Sequence, residues 1–207
     1  MNEHSKAHWE RVYASKATSA VSWFQEQAAT SLRLIQATGL GPEAAILDVG
    51  GGASVLVDDL LAAGYRDLAV LDLSGAALVA ARERLGARAE QVRWIEGDIT
   101  RVALPANYDL WHDRAVFHFL TDPGDRQAYR RQLEQALRPG GHLVIATFAE
   151  DGPERCSDLP VMRYSASELR AEFGAGFDLL HSERETHRTP GGALQRFTYC
   201  HFHKVMP

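Results

Sequence analysis

A run of glycines behind an apolar segment has the residue types and spacing that bind a nucleotide-like ligand. The segment Ile46–Ser54 reads Ile-Leu-Asp-Val-Gly-Gly-Gly-Ala-Ser, so an apolar strand runs directly into Gly50, Gly51 and Gly52. Glycines let the backbone turn tightly and approach a ligand with no side chain between them. The helix that follows offers unpaired N–H groups at its N-terminus. On its own, this loop indicates either a ligand site or a structural turn between a strand and a helix.

Two further acids end the next two apolar runs. Asp72, followed by Leu73, lies twenty residues after Gly52. A carboxylate at this place can accept hydrogen bonds from both ribose hydroxyls of an adenosine, although a favourable charge at a helix N-terminus would be an alternative role. Asp98 ends the third run, where it could accept from an adenine amino group while Ile99 covers the ring. Ligands of open α/β sheets bind at the carboxyl ends of strands, so this coincidence predicts an adenosyl ligand.

Charged groups also follow the fourth apolar run, in Trp-His-Asp-Arg-Ala-Val-Phe-His from 111 to 118. Asp113 could orient an amine or act as a base. Arg114 could bind a substrate carboxylate or pair with Asp113. His118 could take a proton, because the ordinary pKa of histidine lies near neutrality. A local ion pair beside a surface histidine is the alternative, and strand alternation predicts that His112 points to the other face of the sheet, into the core.

The elements that position these residues alternate between strands and helices, which indicates a parallel sheet with helices on both faces. The short apolar runs predicted as strands are Ala45–Val49, Leu68–Leu71, Val92–Ile95, Tyr108–Trp111 and Leu143–Thr147. The predicted helices are Val55–Ala63, Ala76–Leu85 after a possible Ser74 N-cap, and Arg126–Leu137. Near the C-terminus, Phe177–His187 and Gln195–His203 are predicted as an antiparallel hairpin.

These motifs, with Leu-Arg-Pro-Gly-Gly at 137–141, resemble the ordered motifs of class I S-adenosylmethionine-dependent methyltransferases over roughly residues 40–150. The resemblance implies a three-layer α/β/α fold with a mostly parallel seven-stranded sheet whose last strand is antiparallel. It also implies a cofactor site for S-adenosylmethionine, with S-adenosylhomocysteine as product. Ser54 replaces a usual glycine, and Val55 departs from the dinucleotide-binding fingerprint. The cofactor-binding residues implied are Asp48, Gly50, Gly51, Gly52, Asp72, Leu73, Asp98, Ile99 and Asp113, and the catalytic candidates are Asp113, Arg114 and His118.

The N-terminal segment carries aromatic residues in Trp-Glu-Arg-Val-Tyr at 9–13 and Val-Ser-Trp-Phe at 21–24. It resembles the N-terminal segment of small methyltransferases, including protein-lysine and thiol-methylating relatives, in which an N-terminal helix closes over the cofactor. Trp9, Tyr13 and Trp23 are therefore predicted to contact the cofactor, because a sulfonium is attracted to aromatic faces. The alternative is that these rings only pack the helix on the sheet.

Composition limits the remaining possibilities. The chain has 207 residues and a formal net charge of −5, which suits one domain and predicts no nucleic-acid partner. No apolar run approaches the ~20 residues of a membrane span, and residues 1–16 lack a signal-peptide pattern. Two cysteines favour a reducing, cytoplasmic setting. His201 and His203 share a strand face without further ligands, so no metal site is expected.

The predicted organisation is a single methyltransferase domain over 1–207. It comprises a helical lid (1–39), a cofactor-binding core (40–150), and a substrate loop with the C-terminal hairpin (151–207). The predicted reaction is methyl transfer to a small molecule by a monomer or homodimer without membrane contact. A protein lysine as acceptor is the alternative, and an NAD(P)-dependent oxidoreductase is a remote one. The loop that follows residue 150 could cap the substrate side, and within it Cys156 could be a reactive thiol or a soft-atom contact.

Overall fold

A computed structural model describes residues 3–15, 17–105 and 107–206 of the chain. Residues 1, 2 and 16 of the predicted lid lie outside this range. The described part contains a large sheet between two layers of helices. The α-helices are α1 (Glu3–Ser15), α2 (Ala29–Ala37), α3 (Leu56–Ala62), α4 (Gly75–Leu85), α5 (Pro123–Ala136) and α6 (Ala166–Phe173). The strands are β1 (Ala45–Val49), β2 (Asp67–Asp72), β3 (Val92–Glu96), β4 (Tyr108–Arg114), β5 (Leu137–Phe148), β6 (Arg155–Cys156), β7 (Leu159–Pro160), β8 (Phe177–Arg188) and β9 (Leu194–Lys204).

Seven strands form the large sheet in the order β3-β2-β1-β4-β5-β9-β8. The five strands from β3 to β5 are parallel to their neighbours. Strand β9, the last in the chain, runs antiparallel to both β5 and β8. The predicted sheet with an antiparallel final strand is therefore confirmed. The order reverses at β1, so the carboxyl ends of β1 and β4 flank the crevice where open α/β sheets bind ligands.

Alternation along β1 divides the core between the two faces of the sheet. Leu47 and Val49 face the layer formed by α5 and α6, where Tyr129 and Phe173 pack. Ile46 faces the opposite layer, which α2, α3 and α4 complete. Because both faces are covered by helices, the central strands are apolar on both sides, as their continuous runs predicted.

Local capping explains where the helices begin. The Ser74 side chain accepts from Ala77 N–H at 3.2 Å and starts α4, which confirms its predicted role. Asp122 caps α5, and Pro123 occupies its first turn, so this helix begins before the predicted Arg126. Ser165 and Glu168 form a reciprocal capping box that starts α6.

Two predictions about the second half of the chain were wrong. Strand β5 begins at Leu137, well before the predicted Leu143, because Leu137 pairs with Tyr108 and a register shift accommodates the Pro-Gly-Gly segment. The segment after β5 is not only loop, since β6 and β7 form a short antiparallel pair within it. None of the helices described here is long and apolar enough to cross a membrane.

Candidate functional site

A cleft of about 720 Å³ lies at the carboxyl ends of the central strands, beneath helix α1. We call it the main cleft. It meets a second cavity of about 520 Å³ beside the glycine loop, which we call the glycine-loop cavity. The two share Tyr13, Trp23, Gly50 and Arg114. The predicted site residues that line one or both are Trp9, Tyr13, Trp23, Asp48, Gly50, Gly51, Asp72, Leu73, Ile99 and Arg114.

The glycine loop leaves no room for side chains. Gly50 has a φ of +68°, and a Cβ at this position would overlap Val116. A Cβ on Gly51 would overlap the Asp48 carboxylate, and one on Gly52 would lie 2.5 Å from Asp72 Oδ2. Gly52 does not line either cavity itself. The three glycines therefore bring bare backbone to the ligand cavity and make space for two carboxylates.

Asp48 and His112 form a buried pair at the floor of the glycine-loop cavity. They are register partners on β1 and β4, and His112 Nδ1 donates to Asp48 Oδ1 at 2.7 Å. Ser31 Oγ lies 2.9 Å from His112 Nε2. Asp48 Oδ2 is buried and has no hydrogen-bond partner among the described residues. His112 is buried on the opposite face of β4 from Asp113, as alternation predicted, but this is the face of Arg114, so His112 also lines the glycine-loop cavity.

Asp72 ends β2 inside the main cleft. Its Oδ1 accepts from Ser74 N–H at 2.8 Å, and the residue is 8% exposed. Burial raises the pKa of Asp72 to about 7, and the negative charges of Asp48 and Glu10 act in the same direction. The carboxyl therefore changes its charge in the physiological range.

Ile99 and Gly97 line the main cleft beyond Asp72, and Asp98 does not. Asp98 Oδ1 accepts from the backbone N–H of Thr100 at 2.9 Å and from its hydroxyl at 2.7 Å. Asp98 thus caps the turn that presents Ile99. Its predicted contact with an adenine amino group stays a prediction.

Helix α1 covers the cleft through its aromatic residues. Trp9 makes edge-to-face contacts with Trp23 and Phe119, at centroid distances of 5.6 and 5.2 Å. Tyr13 lies 6.2 Å from the Trp23 ring, also edge to face. Glu10 Oε1 accepts from Gly75 N–H at the start of α4, at 2.7 Å. These contacts hold α1 against the main cleft, and the rings both pack the helix and line the cleft; that the helix acts as a lid stays a prediction.

Arg114 stands where the two cavities meet. Its Nε donates to Tyr199 Oη at 3.0 Å, and its guanidinium lies 4.4 Å from the centre of the Phe197 ring. Its Nη1 donates to the backbone carbonyl of Trp23 at 3.3 Å. Its Nη2 is 3.6 Å from Glu185 Oε2. Beyond Arg114, the main cleft is lined by Phe119, Phe148, Cys156, Gln195 and Phe197.

Comparison with known proteins points to one family. A family profile described as "Methyltransferase domain" matches residues 47–143. The solved structure reported for conversion of a disulfide bond into a thioacetal group in echinomycin biosynthesis is 20% identical, with a TM-score of 0.79, 98% coverage of this chain and 93% of that one. Over residues 47–143 this chain is similar to a methyltransferase domain, and its sheet has the fold of the class I S-adenosylmethionine-dependent methyltransferases. We therefore test its site against S-adenosylmethionine.

Two other similar proteins differ in their acceptors. The eEF1A lysine and N-terminal methyltransferase of Mus musculus is 26% identical over 155 residues, which are 70% of this chain and 22% of that protein. The 1,6-didemethyltoxoflavin-N1-methyltransferase of Burkholderia thailandensis is 22% identical, with a TM-score of 0.69 and coverage of 98% of this chain and 84% of that one. This chain therefore spans about a fifth of the length of the mouse relative.

The residues present fit this cofactor. The bare glycine backbone leaves space that any Cβ would fill. The unpartnered Asp48 Oδ2 would accept from the ammonium group of the methionine half. Asp72 would accept from the ribose, and the sulfonium would meet the rings of Trp9, Tyr13 and Trp23. When bound, the group supplies an activated methyl on a positively charged sulfur.

Asp113 lines neither the main cleft nor the glycine-loop cavity, so its predicted catalytic and cofactor-binding roles need correction. Asp113 is fully buried on the opposite face of β4. It accepts from Tyr129 Oη at 2.7 Å and from the backbone N–H groups of Val116 and Phe117 at 2.9 and 3.1 Å. Burial raises the pKa of Asp113 to about 6. Its carboxyl fixes the turn that follows Arg114, because it supplies the acceptors for that backbone.

His118 is likewise not a cleft-lining base. It is fully buried between Phe119 and Phe148, with ring centroids 4.5 and 4.7 Å away. Its Nδ1 accepts from Phe148 N–H at 3.3 Å. Burial lowers the pKa of His118 to about 3, with the positive charge of Arg114 acting in the same direction. An imidazole with such a low pKa stays neutral and is a poor proton acceptor at neutral pH.

The acceptor end of the cleft has few groups that could remove a proton. Burial raises the pKa of the Cys156 thiol to about 11, so it is not a thiolate at neutral pH. The pKa of Tyr13 is also raised above its ordinary value by burial. Within residues 3–15, 17–105 and 107–206, no cluster of three or more ligating side chains could hold a metal ion.

Sequence reasoning missed the contribution of β9 to this site. Gln195 and Phe197 line the main cleft, and Tyr199 fixes Arg114. They come from a strand about eighty residues after Arg114 in the chain, and no motif marks them. The only available signal was the alternation of the predicted last strand, which puts these three residues on one face.

Proposed function

We propose that this chain transfers the methyl group of S-adenosylmethionine to a small-molecule acceptor that binds beside Arg114. The observation that carries the proposal is the main cleft itself. One end is lined by Asp72 and Ile99, which suit an adenosine, and the other end is lined by Arg114 and Phe197. The transferring methyl would lie between these two ends.

The residues would act mainly by positioning and by excluding water. Methyl transfer from a sulfonium is an in-line displacement, so alignment of nucleophile and methyl accounts for much of the acceleration. The aromatic rings of Trp9, Tyr13 and Trp23 would exclude water and favour the positive sulfur. Because neither His118 nor Cys156 suits proton removal at neutral pH, we expect an acceptor atom that is nucleophilic without help from either side chain. Nitrogen lone pairs and acidic hydroxyl or thiol groups meet this requirement.

The enclosure of the acceptor end favours a small molecule over a protein side chain. Phe148 and Phe197 are fully buried, with ring centroids 4.9 Å apart, and Trp23 also lines the cleft. The toxoflavin-precursor enzyme supports this preference, whereas the mouse relative supports the alternative of a protein lysine. Both free cysteines, Cys156 and Cys200, suit the reducing cytoplasm that we propose as its location.

Calorimetry with S-adenosylhomocysteine tests the cofactor role of Asp72. Asp72→Ala should weaken binding at least about tenfold, because a charged acceptor for hydroxyl groups is lost. Asp67→Ala removes a carboxylate from the other end of the same strand, where it pairs with Arg93 at the surface, and should bind normally. Equal affinity of the two variants would contradict the ribose role of Asp72.

Labelled methyl transfer then identifies the class of acceptor. The protein would be incubated with S-adenosylmethionine carrying a radioactive methyl and with a cell extract separated into metabolites and proteins. We expect label in the metabolite fraction, and Asp72→Ala should remove it while Asp67→Ala should not. Label confined to proteins would replace this proposal with the lysine alternative.

A further inference from the structure

Two buried polar side chains, Arg114 and Gln195, line the acceptor end of the main cleft, and a third, Glu185, lies behind Arg114. Gln195 is 7% exposed, and the side chains of Arg114 and Glu185 are 10% and 15% exposed. Arg114 Nη2, Glu185 Oε2 and Gln195 Oε1 are buried and have no hydrogen-bond partner among the described residues. Buried polar atoms are nearly always hydrogen-bonded in folded proteins. Since Arg114 and Gln195 line a cleft, their open positions indicate groups that a ligand satisfies.

The positions of these groups are fixed by β9. Gln195, Phe197 and Tyr199 alternate along the strand, so their side chains share one face. The Arg114 guanidinium is held over Phe197 and against Tyr199, as described above. Gln195 comes two residues before Phe197, about 7 Å away along the same face. A donor and an amide therefore stand on either side of one aromatic ring.

Glu185 determines which net charge a ligand beside Arg114 can have. It lies opposite Phe197 on β8, and its Oε2 is 3.6 Å from Arg114 Nη2. The charge of Arg114 is thus already compensated. An anionic ligand would have to compete with Glu185 and would approach its carboxylate, while a cationic ligand would meet Arg114. Burying either a charged anionic or a charged cationic ligand beside this pair is electrostatically unfavourable, so a neutral ligand fits best.

The rest of the acceptor end is apolar and built of flat rings. Phe119, Phe148 and Phe197 line it, and aromatic walls of this kind favour a planar ligand that stacks or packs edge to face. Trp23, Cys156 and Gln195 also line a groove of about 920 Å³ that lies outside the main cleft, between the β6–β7 and β8–β9 turns. A ligand held by Gln195 can therefore extend a substituent towards solvent.

We propose that Arg114, Gln195 and Glu185 form a recognition site for a neutral, planar acceptor that carries a carbonyl beside an N–H group, as lactams and carboxamides do. Arg114 Nη2 donates to the carbonyl, and the Gln195 amide oxygen accepts from the N–H. Glu185 keeps the site selective for neutral molecules. This inference rests on the proposed function, because it assigns the acceptor of that same cleft.

Binding of three related probes to the protein saturated with S-adenosylhomocysteine tests the inference. The probes are 2-quinolone, N-methyl-2-quinolone and quinoline-2-carboxylate. Calorimetry should give 2-quinolone the lowest Kd. The N-methyl compound, which lacks the donor, and the carboxylate, which is anionic, should each bind about tenfold more weakly.

Three variants separate the parts of the argument. Gln195→Leu should abolish the preference for 2-quinolone over its N-methyl derivative. Glu185→Gln should strengthen binding of the carboxylate about tenfold, because it leaves the charge of Arg114 uncompensated. Gln36→Leu removes an exposed amide from α2 and should behave as the wild type.

The affinity for S-adenosylhomocysteine distinguishes the two proposals. If the wild type binds no S-adenosylhomocysteine, the proposed function fails. If it binds S-adenosylhomocysteine but shows no preference for 2-quinolone, or no quinolone binds at all, only this recognition site is overturned. A carboxylate that binds the wild type more tightly than 2-quinolone, or that gains nothing from Glu185→Gln, also overturns it.

Discussion

The raised pKa of Asp72 gives cofactor binding a pH dependence that an ordinary carboxyl would not have. With a pKa of about 7, this carboxyl is about nine-tenths ionised at pH 8 and about one-tenth ionised at pH 6. Only the ionised form offers acceptors to both ribose hydroxyls at once. The apparent Kd varies inversely with the fraction in the competent form, so it should rise about tenfold from pH 8 to pH 6.

The sign of the effect follows from the direction of the pKa shift. Burial favours the protonated, neutral form of Asp72 in the free protein, and ribose hydroxyl donors favour the ionised form. Binding below pH 7 must therefore release a proton, and affinity must fall as the pH falls. An aspartate at its ordinary pKa of 3.8 would stay ionised throughout this range and give a flat profile.

Calorimetric titration with S-adenosylhomocysteine at pH 6, 7 and 8 and constant ionic strength measures this dependence. Asp72→Asn should show no pH dependence and should bind about as weakly at pH 8 as the wild type does at pH 6. Asp67→Asn, with its change at the opposite end of β2, should follow the wild-type profile. A wild-type Kd that changes less than twofold over this range would refute the reasoning, and so would an Asp72→Asn profile that keeps the wild-type slope.

Three other outcomes follow from the structure. Asp113→Ala should lower the free energy of unfolding by about 3 kcal/mol in denaturant titrations, because three buried donors lose their acceptor, and the folded variant should keep its S-adenosylhomocysteine affinity within about threefold; normal stability with lost methyl transfer would instead restore its catalytic role. Gly51→Ala should weaken S-adenosylhomocysteine binding at least about tenfold in calorimetry, since its Cβ overlaps Asp48. Gly41→Ala, where a Cβ meets nothing within 4 Å, is the control, and equal effects of the two would contradict the role of the loop. Cys156 and Cys200 should react with a thiol reagent only after unfolding, because both are buried and their pKa values are raised to about 11 and about 12; rapid labelling of the native protein would show that the acceptor end opens in solution.

The sequence predicted those parts of the fold and site that depend on short segments. The glycine loop, Asp72 and the Ser74 cap are each determined by residues within one strand-to-helix turn, and the structure has them where expected. The sheet followed from the alternation of apolar runs with helical segments. Each of these features depends on residues that are close together in the sequence, so it can be predicted from that short segment alone.

The acceptor end could not be predicted in the same way. Alternation along β4 correctly put His112 and Asp113 on opposite faces, but the sequence did not show which of the two faces borders the cleft. The structure puts His112 beside Asp48 and buries Asp113 on the other side. Gln195 and Phe197 reach the cleft only because β9 inserts between β5 and β8, which is a long-range pairing.

The docking of α1 has a kinetic consequence. Helix α1 forms a wall of the cofactor end, and Glu10 ties it to the first N–H of α4 while Lys6 pairs with Glu96 at the end of β3. The S-adenosylhomocysteine product cannot leave between these elements until both contacts break and the rings of Trp9 and Tyr13 withdraw. In enzymes whose site is covered by a mobile element, product release is often the rate-limiting step. We therefore expect a rapid first turnover followed by a slower steady state, with its rate set by the opening of α1 rather than by methyl transfer.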